Sequence, residues 1–179
     1  MTTYAALLRG INVAGHASVA MADLHAVFAG LGFAGISTYL RSGNVLFGTE
    51  APPAALAADI EARLNREIGV RTTVLLRTRD ELAALAAANP YLDRQDDPTK
   101  LHVTFLAEEP ARARAASLAA LAGADEEVTV VGRDVYLHCP NGYGRTKLNN
   151  TNIEKKLAVT GTTRNWRTVV ALRDLTCAV

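Results

Sequence analysis

Four stretches of this 179-residue chain contain cations but no Asp or Glu, although the net charge of the whole chain is only +1. The stretches are 9–20, 41–48, 139–153 and 162–167, and their cations are Arg9, Arg41, Arg145, Lys147, Arg164 and Arg167. Cations without nearby carboxylates can bind the oxygens of phosphates and carboxylates. We therefore expect these stretches to converge on a recess that binds a small anionic ligand, such as a nucleotide or another phosphorylated molecule.

The segment 141–147 combines two glycines with two cations just before a predicted helix. Backbone N–H groups at a helix start, together with nearby cations, can hold a phosphate or a carboxylate. The spacing is not that of a P-loop. The alternative is that the glycines only make turns and that Asn149 and Asn150 cap the helix. The candidate ligand-binding residues are Asn141, Tyr143, Arg145 and Lys147, with Arg164 and Asn165 expected at the rim because buried charges are costly.

The first half of the chain contributes a second set of candidate ligand-binding residues: Arg9, Asn12, Arg41, Ser42 and Asn44. They could form a hydrogen-bonding pocket at one end of a sheet, or a polar network that satisfies loop backbone. An RNA-recognition motif needs stacking aromatics on its third strand, and Ser42 and Asn44 take those positions here. The aromatic platform that stacks on bases is thus missing. A single-stranded nucleic acid is kept as an alternative partner, but it is not the favoured one.

Two histidines suggest an enzyme that acts on a phosphorylated small molecule as another alternative. Strand alternation places His102 with Thr104 on one face, and Tyr136 with His138 on one face, with Thr129 beside them. Neighbouring strands would then form a patch with two imidazoles, which can carry protons near neutral pH. The other interpretation is the solvated side of a sheet, so whether any reaction is catalysed stays open.

Composition narrows the class of protein. Residues 1–134 carry 12 basic and 16 acidic side chains, whereas residues 135–179 carry 7 basic and 2 acidic ones, so the C-terminal part is the positive one. The chain has only two cysteines and no long apolar run, and its first residues do not indicate a secretory signal. We expect a cytoplasmic protein without a disulfide, a metal site, a cofactor or a membrane partner; its oligomeric state is left open.

The pattern of elements predicts an α+β fold with two ferredoxin-like βαββα units, each an antiparallel sheet with helices on one face. A single merged sheet is the alternative. The first unit covers 1–90, with strands at 4–8, 36–40, 44–47 and 72–76. Its second helix carries apolar residues at every fourth position from Leu56 to Ile68, and Thr78 with Glu81 forms a capping box for a third. Leu46 points away from Val45 and Phe47, so we expect both faces of this sheet to be covered.

Residues 91–100 are predicted to be a linker, and 101–179 a second unit with an extra C-terminal helix. We predict strands at 101–107, 128–131 and 135–138 and helices at 111–121, 151–159 and 166–175. Thr151 and Glu154 suggest a capping box for the helix at 151–159.

Four motifs occur in a fixed order: LLRGINV at 7–13, RSGNV at 41–45, RTKL at 145–148 and TRNWRTV at 163–169. On these motifs the chain resembles the bacterial family called domain of unknown function 1697, from the first strand to the last helix. The resemblance implies a duplicated α+β fold, and it implies no activity and no catalytic residues. The family usually has Gly-Gly after the first motif, where this chain has Ala14-Gly15.

Overall fold

The structure is a computed structural model that describes residues 1–13 and 18–178, so the Ala14-Gly15 difference lies outside the described residues. The chain divides into two compact units, one formed by Met1–Ala83 with Leu172–Val179 and the other by Ala84–Ala171. Residues 91–100, predicted as a linker, belong to the second unit in this division.

The first unit contains an antiparallel sheet with the strand order β2-β3-β1-β4. Its elements are β1 (Thr2–Leu8), α1 (Met21–Gly30), β2 (Ala34–Tyr39), β3 (Asn44–Thr49), α2 (Pro53–Ile68), β4 (Val74–Thr78) and the start of α3 (Arg79–Ala87). The apolar stripe of α2 packs with α1 on one face of the sheet, against Val45 and Phe47. Leu46 on the opposite face is also fully buried, as expected.

The second unit repeats this plan, with the strand order β6-β7-β5-β8. Its elements are β5 (Leu101–Leu106), α4 (Arg112–Ser117), β6 (Glu127–Val131), β7 (Asp134–His138), α5 (Asn150–Leu157), β8 (Gly161–Asn165) and the start of α6 (Trp166–Thr176). A 3-10 turn at Leu118–Leu121 continues α4. The predicted α+β fold with two ferredoxin-like units is confirmed.

Two details of the second unit differ from the prediction. The strand β8 was missed, because Thr-Thr-Arg-Asn has no apolar alternation; it forms by pairing with β5, from His102 opposite Asn165 to Leu106 opposite Gly161. The capping box at Thr151 and Glu154 was wrong. Asn149 caps α5 instead, and the Glu154 carboxylate accepts a hydrogen bond from Gly161 N at 2.7 Å.

Candidate functional site

Three connections of the first unit meet at one end of its sheet. The N–H of Leu8 donates to Gly43 O at 2.8 Å, and the N–H of Arg9 donates to Thr73 O at 3.0 Å. Thr72 Oγ1 also donates to Arg9 O at 2.6 Å. These bonds join the loop after β1, the β2–β3 hairpin and the loop before β4.

Each of these connections carries one exposed arginine, which is Arg9, Arg41 and Arg71 respectively. None of the three connections contains an acidic residue. We call this the arginine end of the first sheet. Arg71, whose Nε donates to Asn65 Oδ1 at 3.3 Å, was missed in the sequence, although its loop 69–73 is also free of acids. A carboxylate, that of Glu61, lies at the start of β4, where it accepts a hydrogen bond from Val74 N at 2.7 Å.

Asn12 fixes the loop after β1 to the hairpin. Its Nδ2 donates to Arg41 O at 2.7 Å and to Val19 O at 3.0 Å, while its Oδ1 accepts from Val19 N at 2.7 Å. The backbone φ of Asn12 is 53°, in the left-handed region that Asn tolerates better than most residues. The side chain therefore stabilises loop backbone, which was the alternative interpretation in the sequence.

Asn44 has a similar role at the end of the hairpin. It is fully buried, and its Nδ2 donates to Tyr39 O at 2.8 Å and to Ser42 Oγ at 3.0 Å. Of the five candidates in this unit, the amides and Ser42 thus build the loops, and Arg9 and Arg41 are the exposed residues.

The second unit repeats the backbone ties of the arginine end with different charges. Leu106 N donates to Arg133 O at 2.8 Å and Ala107 N to Thr160 O at 2.9 Å, as Leu8 and Arg9 do in the first unit. Glu154 bonds the first amide of β8 as Glu61 bonds that of β4. The connections here carry Glu108, Glu109 and Arg133 in place of three arginines, so the fold does not require the arginines.

The connection between β7 and α5, residues 139–149, carries the other predicted site. Arg145 and Lys147 are exposed, and so is Asn141. The backbone of the connection is held by side chains: Leu148 N donates to Thr146 Oγ1 at 2.9 Å, and Asn152 Nδ2 donates to Lys147 O at 2.9 Å. The Asn149 cap accepts from Asn152 N at 3.0 Å, which leaves few amides of this helix start for a ligand.

Tyr143 anchors this connection to the sheet. Its hydroxyl accepts a hydrogen bond from Asn150 N at 3.0 Å, and its ring stacks on His102 with the ring centroids 4.4 Å apart. Asn150 also takes part in a polar network of the sheet. Thr163 Oγ1 contacts Thr104 Oγ1 at 2.8 Å and donates to Asn150 Oδ1 at 3.0 Å. Burial in this network raises the pKa of Tyr143.

His102 is a neutral member of the same network. It is 7% exposed, its Nε2 lies 3.4 Å from Asn165 Nδ2, and its Nδ1 has no hydrogen-bond partner among the described residues. Burial lowers the pKa of His102 to about 4. Asn165, another ligand-binding candidate, is thus turned toward His102 and toward Thr99 O at 3.4 Å.

The predicted patch with two imidazoles is wrong. The strands β5 and β7 are neighbours, but His102 pairs with Leu137 and Leu101 pairs with His138, so the two histidines project from opposite faces. Thr129 does share a face with His138, as expected.

His138 belongs to a polar chain on its own face. Its Nδ1 lies 3.1 Å from Glu127 Oε2, and its Nε2 lies 3.3 Å from Gln95 Nε2. Arg94 also bonds Glu127. The hydrogen bond from His138 is the main reason that the pKa of Glu127 is lowered.

Arg164 does not lie at a site rim. It is 7% exposed, because β8 turns its side chain into a buried face, and its Nη1 donates to Thr162 Oγ1 at 2.7 Å and to Thr163 O at 3.0 Å. Burial lowers the pKa of Arg164 to about 10, so the group remains charged at neutral pH. The missed strand explains the wrong placement.

Within residues 1–13 and 18–178, no three His, Cys, Asp or Glu side chains group as metal ligands would. No helix in this part of the chain is long and apolar enough to span a bilayer.

The fold and the site geometry define a duplicated α+β protein with a cationic sheet end. Comparison with known families identifies the family of this protein. The family model described as 'Protein of unknown function (DUF1697)' matches residues 1–136, and the chain belongs to this family. A solved structure, the conserved bacterial protein SP0830 from Streptococcus pneumoniae, is similar over 98% of both chains, with 23% sequence identity and a TM-score of 0.77. No curated protein matches the chain.

Proposed function

We propose that the protein binds a small anion, phosphate- or nucleotide-like, at the arginine end of the first sheet. The observation that carries the proposal is the joining of three acid-free connections, each with one exposed arginine, by backbone and Asn12 hydrogen bonds. Guanidinium groups form paired, charge-assisted hydrogen bonds with phosphate oxygens. Arg9 and Arg41 are the primary contacts, and Arg71 is the added one.

The internal duplication supports a functional reason for these arginines. The equivalent end of the second sheet keeps the same backbone ties but has acidic residues. Like-charged side chains gathered on one surface repel each other, so selection for stability alone does not favour three arginines here. Because hydrogen bonds already hold the backbone at Leu8, Arg9 and Arg41, an anion would bind there without a large cost of ordering these positions.

Arg145 and Lys147 extend the proposal to the second unit as a separate anion contact. Their connection is free of acids and its backbone is held by Tyr143, Thr146 and Asn152. Convergence of these cations with Arg9 and Arg41 on one recess stays a prediction. An enzyme acting on a phosphorylated small molecule remains one alternative. Its proton carrier would be either His102 or His138, because the two histidines do not share a face of the sheet. Single-stranded nucleic acid is the other alternative; its affinity should fall steeply with salt.

The test is a thermal-shift and calorimetric titration with ATP, pyrophosphate and a short oligonucleotide at low salt. We expect stabilisation of about 2.7 kcal/mol at about 100 times Kd. The variant Arg9→Gln/Arg41→Gln should weaken binding at least about tenfold, since each charged hydrogen bond contributes about 1.5–3 kcal/mol.

The matched control is Arg79→Gln, which removes an exposed arginine that pairs with Asp80; it should bind like the wild type. Equal binding by the double variant and the wild type would contradict the proposed site. A loss confined to Arg145→Gln/Lys147→Gln would move the site to the second unit.

A further inference from the structure

The strand β6 is an edge of the second sheet, and its outer side is regular. It pairs residue for residue with β7, from Glu127 opposite His138 to Val131 opposite Asp134, with no register shift. It contains no Pro, Gly or Lys. Soluble proteins usually blunt such edges, because a straight edge offers backbone N–H and C=O groups to another chain.

The first unit shows how an equivalent edge is blunted. Its edge strand β2 has a register shift between Ala34 and Ser37, and Gly35 within it has a φ of 59°. Both features bend the strand away from a regular ladder. The duplicated fold therefore tolerates a blunted edge at this position, and β6 has kept a straight one.

An open groove runs beside β6 on its helix side. The groove has a volume of about 290 Å³ and is lined mostly by apolar side chains, Val128, Val130, Leu118, Ala115, Ala116 and Ala119, together with Arg112. The two valines are only half-buried. A strand added along β6 would place every second side chain over this groove, where alanines leave room for aliphatic groups.

The sequence of β6 is complementary to itself in the antiparallel direction. Pairing centred on Thr129 sets Val128 opposite Val130 of a second copy, so each copy places valines over the groove of the other. The same register sets Glu127 opposite Val131, which is 49% exposed, and Asp125 opposite Arg133. Like charges do not face each other, and an opposite pair flanks each end of the ladder.

We propose that the protein forms a two-fold symmetric homodimer in which β6 pairs with β6 of a second copy. The two sheets then become one continuous sheet, and the interface is the same patch on both copies. A five-residue ladder with two apolar grooves is a small interface, so we expect dissociation at roughly micromolar concentrations.

Sedimentation over a range from about 1 μM to about 500 μM tests this dimer. The wild-type mass should rise from 19.0 kDa toward twice that value. Val130→Lys, which places a cation over the groove that Val128, the alanines and Arg112 of each partner line, should weaken association at least about tenfold. Ser37→Lys on the exposed edge strand β2 is the matched control and should associate like the wild type.

A wild type that stays at 19.0 kDa over the whole range would overturn the proposal. So would a Val130→Lys variant that associates as strongly as the wild type, because the interface would then lie elsewhere. If that variant does not fold, hydrogen exchange of the wild type decides. Amides of β6 should gain protection as concentration rises, and unchanged protection there would refute the dimer.

Discussion

Acidification from pH 6.5 to pH 4 is expected to lower the free energy of unfolding by about 3 kcal/mol through His102 alone. Burial lowers the pKa of His102 to about 4 in the folded protein, whereas the unfolded chain takes up the proton near pH 6.5. Between these values the unfolded state binds more protons. The stability that the neutral imidazole contributes is therefore complete above pH 6.5 and is lost as the pH falls toward 4.

Denaturant titrations at several pH values measure this effect. His102→Phe keeps a ring against Tyr143 but removes the titrating group, so its stability should depend less on pH in this range. His25→Gln removes an exposed histidine of α1 and serves as the control, which should follow the wild type. Parallel curves for the wild type and His102→Phe would contradict the assignment.

Gly43→Ala is expected to destabilise the first unit by about 2–4 kcal/mol, from backbone strain and overpacking together. Gly43 lies in the hairpin of the arginine end with a φ of 83°. A Cβ atom there would lie 2.6 Å from Ile11 Cδ1 and 3.0 Å from Leu8 Cβ, and both of those residues are buried. The hydrogen bond from Leu8 N to Gly43 O would also be displaced.

The duplicated fold supplies the control for this variant. Gly132 occupies the equivalent hairpin of the second unit with a φ of 57°, but a Cβ atom there would have nothing within 4 Å. Gly132→Ala should therefore show only the left-handed strain, about 1 kcal/mol. Urea denaturation compares the two variants, and equal losses would show that close packing against Ile11 and Leu8 is not what requires glycine at position 43.

Local signals in the sequence predicted the first unit well. The predicted apolar stripe of α2 is buried in the core. The predicted capping box of α3 also forms: Thr78 N donates to Glu81 Oε2 at 2.8 Å, and Glu81 N donates to Thr78 Oγ1 at 3.2 Å. These features depend on residues that are close in the chain, so periodicity and spacing suffice to find them.

Features that depend on pairing between distant strands could not be found in this way. Alternation says which side chains share a face within one strand, but the relation of His102 to His138 depends on register, and a shift of one residue reverses it. The polar strand β8 forms because β5 offers a partner, and the burial of Arg164 follows from it. Arg71 belongs to the candidate site because its neighbours Thr72 and Thr73 bond the backbone of Arg9, which lies far away in the chain.

The most direct measurement of anion binding is a nuclear magnetic resonance titration of the isotope-labelled protein with pyrophosphate. If pyrophosphate binds at the arginine end, the largest shift changes should fall on the amides of Arg9, Arg41 and Arg71 and their neighbours. The amides of Glu108, Glu109 and Arg133, at the equivalent end of the second sheet, should stay unchanged. Changes of equal size at both sheet ends, or none at the arginine end at saturating pyrophosphate, would contradict the proposed site.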